Sequence, residues 1–381
     1  MLIYHALLIG LTALGIPLCR KRGLSERQSK ALLRIYLLLV FAAFFVIAAI
    51  REGTGYDYNL YAQWYERLIF DDYESVSAWS REKGFAVPLK ILTVITLDKQ
   101  PMFALISFFI AAGTVAYIYR NSNCACVSVA AFISLGFYYN SLNFMRQFTA
   151  AVIVAFALSC VASKQPVRFL VLVLFASCFH FSALLALPFY FILKIRMNLA
   201  VLSAYGVITV LSLVFSVPAI EFVTEYFYKG YVPTESVHMT VGLPATYTVI
   251  FALPFVPLFI FREELIKKRA LNSVLINAYF FGLYFEILGM KHSVLSRFAL
   301  LFFIAPVLAL IPDAVLMVAQ KTKDRFGGAK GKGRLFPVVT LAAFCVYAFT
   351  VNAILLSVNY NGVVPYETIY GGGGSGSYDV N

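Results

Sequence analysis

The chain has 381 residues, 61% of them hydrophobic and 13% charged, with 31 Lys and Arg against 19 Asp and Glu. A soluble domain carries about 45–50% apolar and about 25% charged residues. This chain has too little polar surface to cover its apolar side chains, and the excess falls in long uninterrupted runs, the pattern of membrane spans. A net charge of +12 would point to nucleic acid in a soluble protein, but basic cytoplasmic loops account for it in a membrane protein.

In chain order, runs near 2–19, 31–50, 101–119, 124–140, 147–163, 199–217, 246–261, 271–289, 297–312 and 335–357 read as spans. The first has no basic segment before it and a basic cluster after it, which suits an uncleaved span with its N-terminus outside. Residues 85–97 are shorter and read as re-entrant or interfacial. The apolar stretch 169–193 is interrupted at His180–Ser182. At about 1.5 Å per residue, two twelve-residue arms reach about 18 Å each, so two short helices meeting at His180 are expected. The fold class is therefore all-α: a polytopic integral membrane protein of about 12 membrane segments, some short or broken.

With 20–34 in the cytoplasm, 21 of the 31 Lys and Arg fall on cytoplasmic loops, the bias of the positive-inside rule. A single span across His180 would destroy it by moving the basic loops 262–269 and 321–334 outside. Residues 1–360 are expected to form one membrane-embedded domain, with outer loops at about 51–100 and 218–245. The second outer loop carries Glu221, Glu225, Tyr226, Tyr228 and Tyr231. The Gly- and Ser-rich stretch 361–381 reads as a flexible tail. The inner stretch GGAKGKGR lacks the spacing of a phosphate-binding loop. The six cysteines lie in or beside apolar runs and read as packing residues.

Four segments bring polar residues to the outer level. The first is Arg51, followed by Asp57, Tyr58, Tyr61 and Trp64. An arginine anchoring a helix end and interfacial aromatics are the plain account. Carboxylates, phenols and ring faces are also what a sugar site uses. The second segment is Asn140, Asn143, Arg146 and Gln147, which share one face if helical. The third is His180 with Ser182, in apolar sequence where backbone is expected to line a cavity. The fourth is Glu286, Lys291, His292 and Arg297. An intramembrane Glu286 is costly unless paired with an arginine or lysine. Positive charge gathered at one level suits an anionic head group, and arginine matches phosphate oxygens.

Arg51 with GTGYDYNLY, then NFMRQFTAA, FHFSALL, SRFALLFF and VPYETIY, together resemble the EpsG family of bacterial exopolysaccharide proteins, relatives of Wzy-type O-antigen polymerases. The resemblance implies a membrane glycosyltransferase with a GT-C-like fold. Such an enzyme moves a growing glycan from undecaprenyl pyrophosphate to a hydroxyl of a lipid-linked repeat unit, at the outer face of the bacterial plasma membrane. Arg146 and Arg297, with Arg51, would neutralise the pyrophosphate, and Asp57 or His180 would act on the acceptor hydroxyl. Tyr58, Tyr61 and Trp64 would hold sugars. Asn143, Gln147, Glu286, Lys291 and His292 would complete the binding surface. No cofactor or metal is expected. The expected partners are lipid-pyrophosphate oligosaccharides, membrane lipids and a chain-length regulator, and not nucleic acid. Alternatives are a flippase or transporter for lipid-linked glycans, an O-antigen-type ligase, and a lipid-phosphate-sugar transferase using an acidic pair such as Glu52 and Asp57.

Overall fold

The computed structural model describes residues 1–19, 25–70, 82–227, 242–326 and 335–370. Their helices are α1 (Leu2–Cys19), α2 (Glu26–Ala49), α3 (Tyr58–Phe70), α4 (Lys83–Ile95), α5 (Gln100–Asn121), α6 (Ala125–Ser134), α7 (Phe137–Asn143), α8 (Met145–Ala162) and α9 (Pro166–Ser177). A 3-10 turn (Phe181–Ala186) and α10 (Phe189–Ile192) follow. The second half holds α11 (Leu199–Phe227), α12 (Ala245–Ile260), α13 (Arg262–Lys268), α14 (Leu271–Gly289), α15 (Ser293–Ser296), α16 (Ala299–Phe326) and α17 (Leu335–Ser357). Two short strands, β1 (Arg51–Glu52) and β2 (Glu367–Thr368), pair antiparallel with Arg51 opposite Thr368 and Glu52 opposite Glu367.

Helix α16 is central. Every residue from Ala299 to Ala314 is buried, as a helix apolar on all sides must be. It packs against α14, α6, α8 and α17. On the periphery, α2 and α11 expose Leu38, Val210, Val214 and Phe215, an apolar surface fit for lipid.

Seven helices among the described residues are long and apolar enough to cross a membrane, or eight if α6 and α7, bent by 58°, count as one span. The expected twelve exceed this number. Three expected membrane segments form shorter apolar helices, at Leu2–Leu18, Pro166–Ser177 and Ala245–Ile260; the 16 residues of α12 reach about 24 Å at 1.5 Å per residue, against a hydrocarbon core of about 30 Å. The α6–α7 bend falls at Gly136, whose φ is +78° and where a Cβ would meet Tyr360 Cε1 at 2.9 Å. Both the left-handed backbone and the close ring demand glycine there.

The stretch 169–193 folds back on itself as expected. Phe169 near the start of α9 and Tyr190 in α10 bring their ring centroids to 5.0 Å. The chain leaving α9 thus returns to the level where α9 began. The returning arm is a 3-10 turn plus a four-residue helix, not a second full helix.

Three expectations need correction. Residues 361–370 are ordered rather than a loose tail. Gly55 N–H donates to Gly362 O, Asn143 Nδ2 to Asn361 O, and Ile369 N–H to Ile50 O. The loop expected from 218 begins later, since α11 runs to Phe227; residues 228–241 lie outside the described ones, as do 371–381. Cys124 is disulfide-bonded, so the six are not all simple packing residues.

Candidate functional site

The chain breaks at Phe144, between α7 and α8, so Asn140 and Arg146 do not share one continuous helix face. The break places Arg146 in the first turn of α8, where backbone N–H groups lack helical partners. Its N–H donates to the Tyr61 hydroxyl at 3.4 Å. The guanidinium lies over the Trp64 ring at 4.2 Å and near Phe85 at 5.8 Å. Its NH1 donates to Glu82 Oε2 at 2.5 Å.

Glu82 stands immediately before α4. This helix start is docked on the turn after α9, because Gly84 N–H donates to Cys178 O at 2.8 Å. A Cβ at Gly84 would meet Cys178 Cβ at 2.8 Å, so glycine permits the approach. Glu82 Oε1 accepts the Phe181 N–H at 3.1 Å and lies 3.9 Å from His180 Nε2. His180 is extended and caps the 3-10 turn: its Nδ1 accepts the Ser182 N–H at 3.3 Å and lies 2.7 Å from Ser182 Oγ. Burial, reinforced by Arg146 and Arg297, pushes His180 down to about 4, so the ring is neutral near pH 7.

Arg297 completes the positive face. Its guanidinium stands over Phe144 at 4.9 Å, and its carbonyl accepts Gln147 Nε2 at 2.8 Å. The Arg146–Glu82 pair remains partly open, with side chains 24% and 12% exposed. Aromatic walls, two arginines, a carboxylate and a neutral imidazole make a surface that can hold phosphate oxygens and accept a proton.

Other expected residues are deployed differently. Arg51 is fully buried, donating to Met145 Sδ at 3.3 Å and facing Phe103, so it lies beneath the surface. Tyr58 stacks on Phe103 at 4.3 Å and is packing. Asn143 is a joint: its Oδ1 accepts the Asp57 N–H, and its amide reaches Tyr139 O and Asn361 O. Gln147 is spent on the Arg297 carbonyl. Asp57 is half-buried beside this joint. Its charge and that of Arg146 both reach the Tyr61 phenol. Lys291 is exposed and donates to Leu213 O, and His292 caps the short α15.

Glu286 is buried, and no arginine or lysine pairs with it among the described residues. Its Oε2 has no hydrogen-bond partner there. Near it, the Tyr360 hydroxyl and Asn361 Nδ2 both donate to Asn140 Oδ1. Glu82 is the site residue that sequence reasoning missed. The signal was faint, one acid between Arg81 and Lys83 in a charged loop.

A comparison with protein families matches residues 34–368 to the EpsG family. No curated protein and no solved structure matches.

Proposed function

The chain belongs to the EpsG family, and from that premise we propose that it is a polysaccharide polymerase of the Wzy type. It transfers a growing glycan from undecaprenyl pyrophosphate to a hydroxyl of a lipid-linked repeat unit at the outer face of the bacterial plasma membrane. The observation that carries this reading is the convergence of Arg146 and Arg297 on one neutral imidazole in an aromatic-walled, partly open site. A leaving pyrophosphate gains negative charge as the sugar–oxygen bond breaks. Fixed guanidinium groups in a partly desolvated site stabilise that charge best in the transition state. Trp64 offers a ring face to a sugar, and Asp57 offers a carboxylate for hydroxyls. The Lys and Arg bias of the loops supports the outward orientation.

The test is direct. Purified protein in nanodiscs, given lipid-pyrophosphate repeat units, is expected to produce a ladder of longer chains. Movement of the lipid across vesicles with no new glycosidic bond would instead identify a flippase. Transfer to a lipid core without a ladder would identify a ligase.

A further inference from the structure

Resting on the polymerase reading, we infer that Glu82 takes the proton of the acceptor hydroxyl, and that Arg146 is shared between Glu82 and the donor pyrophosphate. The argument begins with His180. Its Nδ1 accepts the Ser182 N–H, so the neutral ring carries its proton on Nε2. Nε2 lies 3.9 Å from Glu82 Oε1, beyond hydrogen-bond reach. A nitrogen that already holds a proton is not the acceptor, and Nδ1 is occupied by Ser182. His180 is therefore a positioning residue: it caps the turn whose Phe181 N–H donates to Glu82 Oε1 and holds the carboxylate.

The other Glu82 oxygen faces Arg146. Arg146 has unused capacity, since its buried Nε has no hydrogen-bond partner among the described residues. The pair is also reachable, because neither side chain is sealed from solvent. A pyrophosphate offers several anionic oxygens to a planar guanidinium, against one from Glu82. When it arrives, Arg146 passes to the phosphate and releases Glu82 Oε2 from the ion pair. Before it arrives, the ion pair occupies the carboxylate, so acceptor activation waits for the donor.

The step then balances. The acceptor oxygen bonds to the donor's anomeric carbon as the bond from that carbon to the pyrophosphate oxygen breaks. The electron pair leaves with the pyrophosphate, held by Arg146 and Arg297. The proton moves to Glu82 Oε2 and later to solvent.

The test uses the full chain in nanodiscs, with repeat units extracted from the cells that make the polymer, and inorganic pyrophosphate as the probe for the phosphate site. E82Q keeps the size of the side chain and removes its basicity. It is expected to slow chain growth by about 10²–10⁴-fold, the usual weight of a positioned base, while binding pyrophosphate at least as tightly as the unaltered protein. E82D is expected to recover part of the rate, and D57N to lose at least tenfold less than E82Q.

Chain growth by E82Q within threefold of the unaltered protein overturns the inference and leaves the polymerase reading intact. Weaker pyrophosphate binding by E82Q also overturns it, since Glu82 would then only hold Arg146 in place. A larger loss in D57N than in E82Q would move the role to Asp57. If the unaltered protein makes no ladder, the polymerase reading falls and this inference falls with it.

Discussion

Two buried acids sit at opposite ends of the bundle, and they are held in different ways. Asp313, on α16, is fully buried; its Oδ1 accepts Asn123 Nδ2 at 2.5 Å and its Oδ2 accepts Asn272 Nδ2 at 3.0 Å. Lys268 stands 3.7 Å away at the rim. Neutral amides from separate segments satisfy both oxygens and seal the acid, which ties α5–α6, α14 and α16 together. Glu82 faces a guanidinium that is itself spread over a tryptophan, and the pair touches solvent. A sealed acid can only hold the fold, whereas an open ion pair can exchange one partner for a ligand. Burial of a charge thus does not mark function by itself; the kind of partner and the access to it do.

The comparison breaks first at the arginine. R146A is expected to cut chain growth by about 10²–10³-fold, the usual effect of losing one charge-stabilising donor, with little loss of folded protein. D313A is expected to do the reverse. Stranding buried polar partners costs about 3–5 kcal/mol, so the melting temperature falls while chain growth per folded molecule stays. If D313A abolishes turnover without lowering stability, the contrast is wrong.

R297A is expected to slow chain growth by about 10–100-fold, in line with about 1.5–3 kcal/mol for a hydrogen bond to a charged group. The same ladder assay reads it.

The imidazole gives a pH test. His180 is held near 4 in the fold against an ordinary 6.5, so the unfolded chain binds more protons between these values. Its contribution to stability is complete above pH 6.5 and is lost as pH falls toward 4. Melting temperatures in detergent at pH 7, 6 and 5 are expected to decline, with a shallower decline in H180N. The smallest effect is expected from W64L. An exposed cation–ring contact is worth about 0.5–1 kcal/mol, a few-fold change in chain growth.

The spans were legible because apolar runs leave no other home for their residues. The fold-back at His180 was legible too, since polar residues inside an apolar stretch forbid a lipid-facing helix. The level of the site followed from where Arg146, His180 and Arg297 fall in the chain. Which arginine stays accessible was not legible: Arg51 and Arg146 both follow or open a helix, but only packing drives Arg51 inward against Met145 and Phe103. Glu82 was hidden because its importance comes from docking α4 on the Cys178–His180 turn, a contact across nearly a hundred residues of chain. The shape of the shorter segments was not legible, because periodicity does not reveal where glycine bends a run, as at Gly136.

The strand pair has a consequence for biosynthesis. β1 is formed by Arg51 and Glu52, directly after α2, and β2, far later in the chain, by Glu367 and Thr368. Asn140 and Asn143 likewise wait for Tyr360 and Asn361 to arrive. The contacts at this end of the bundle therefore form only once α17 and the segment after it have been made. A chain that stops before Tyr360 lacks every one of these bonds.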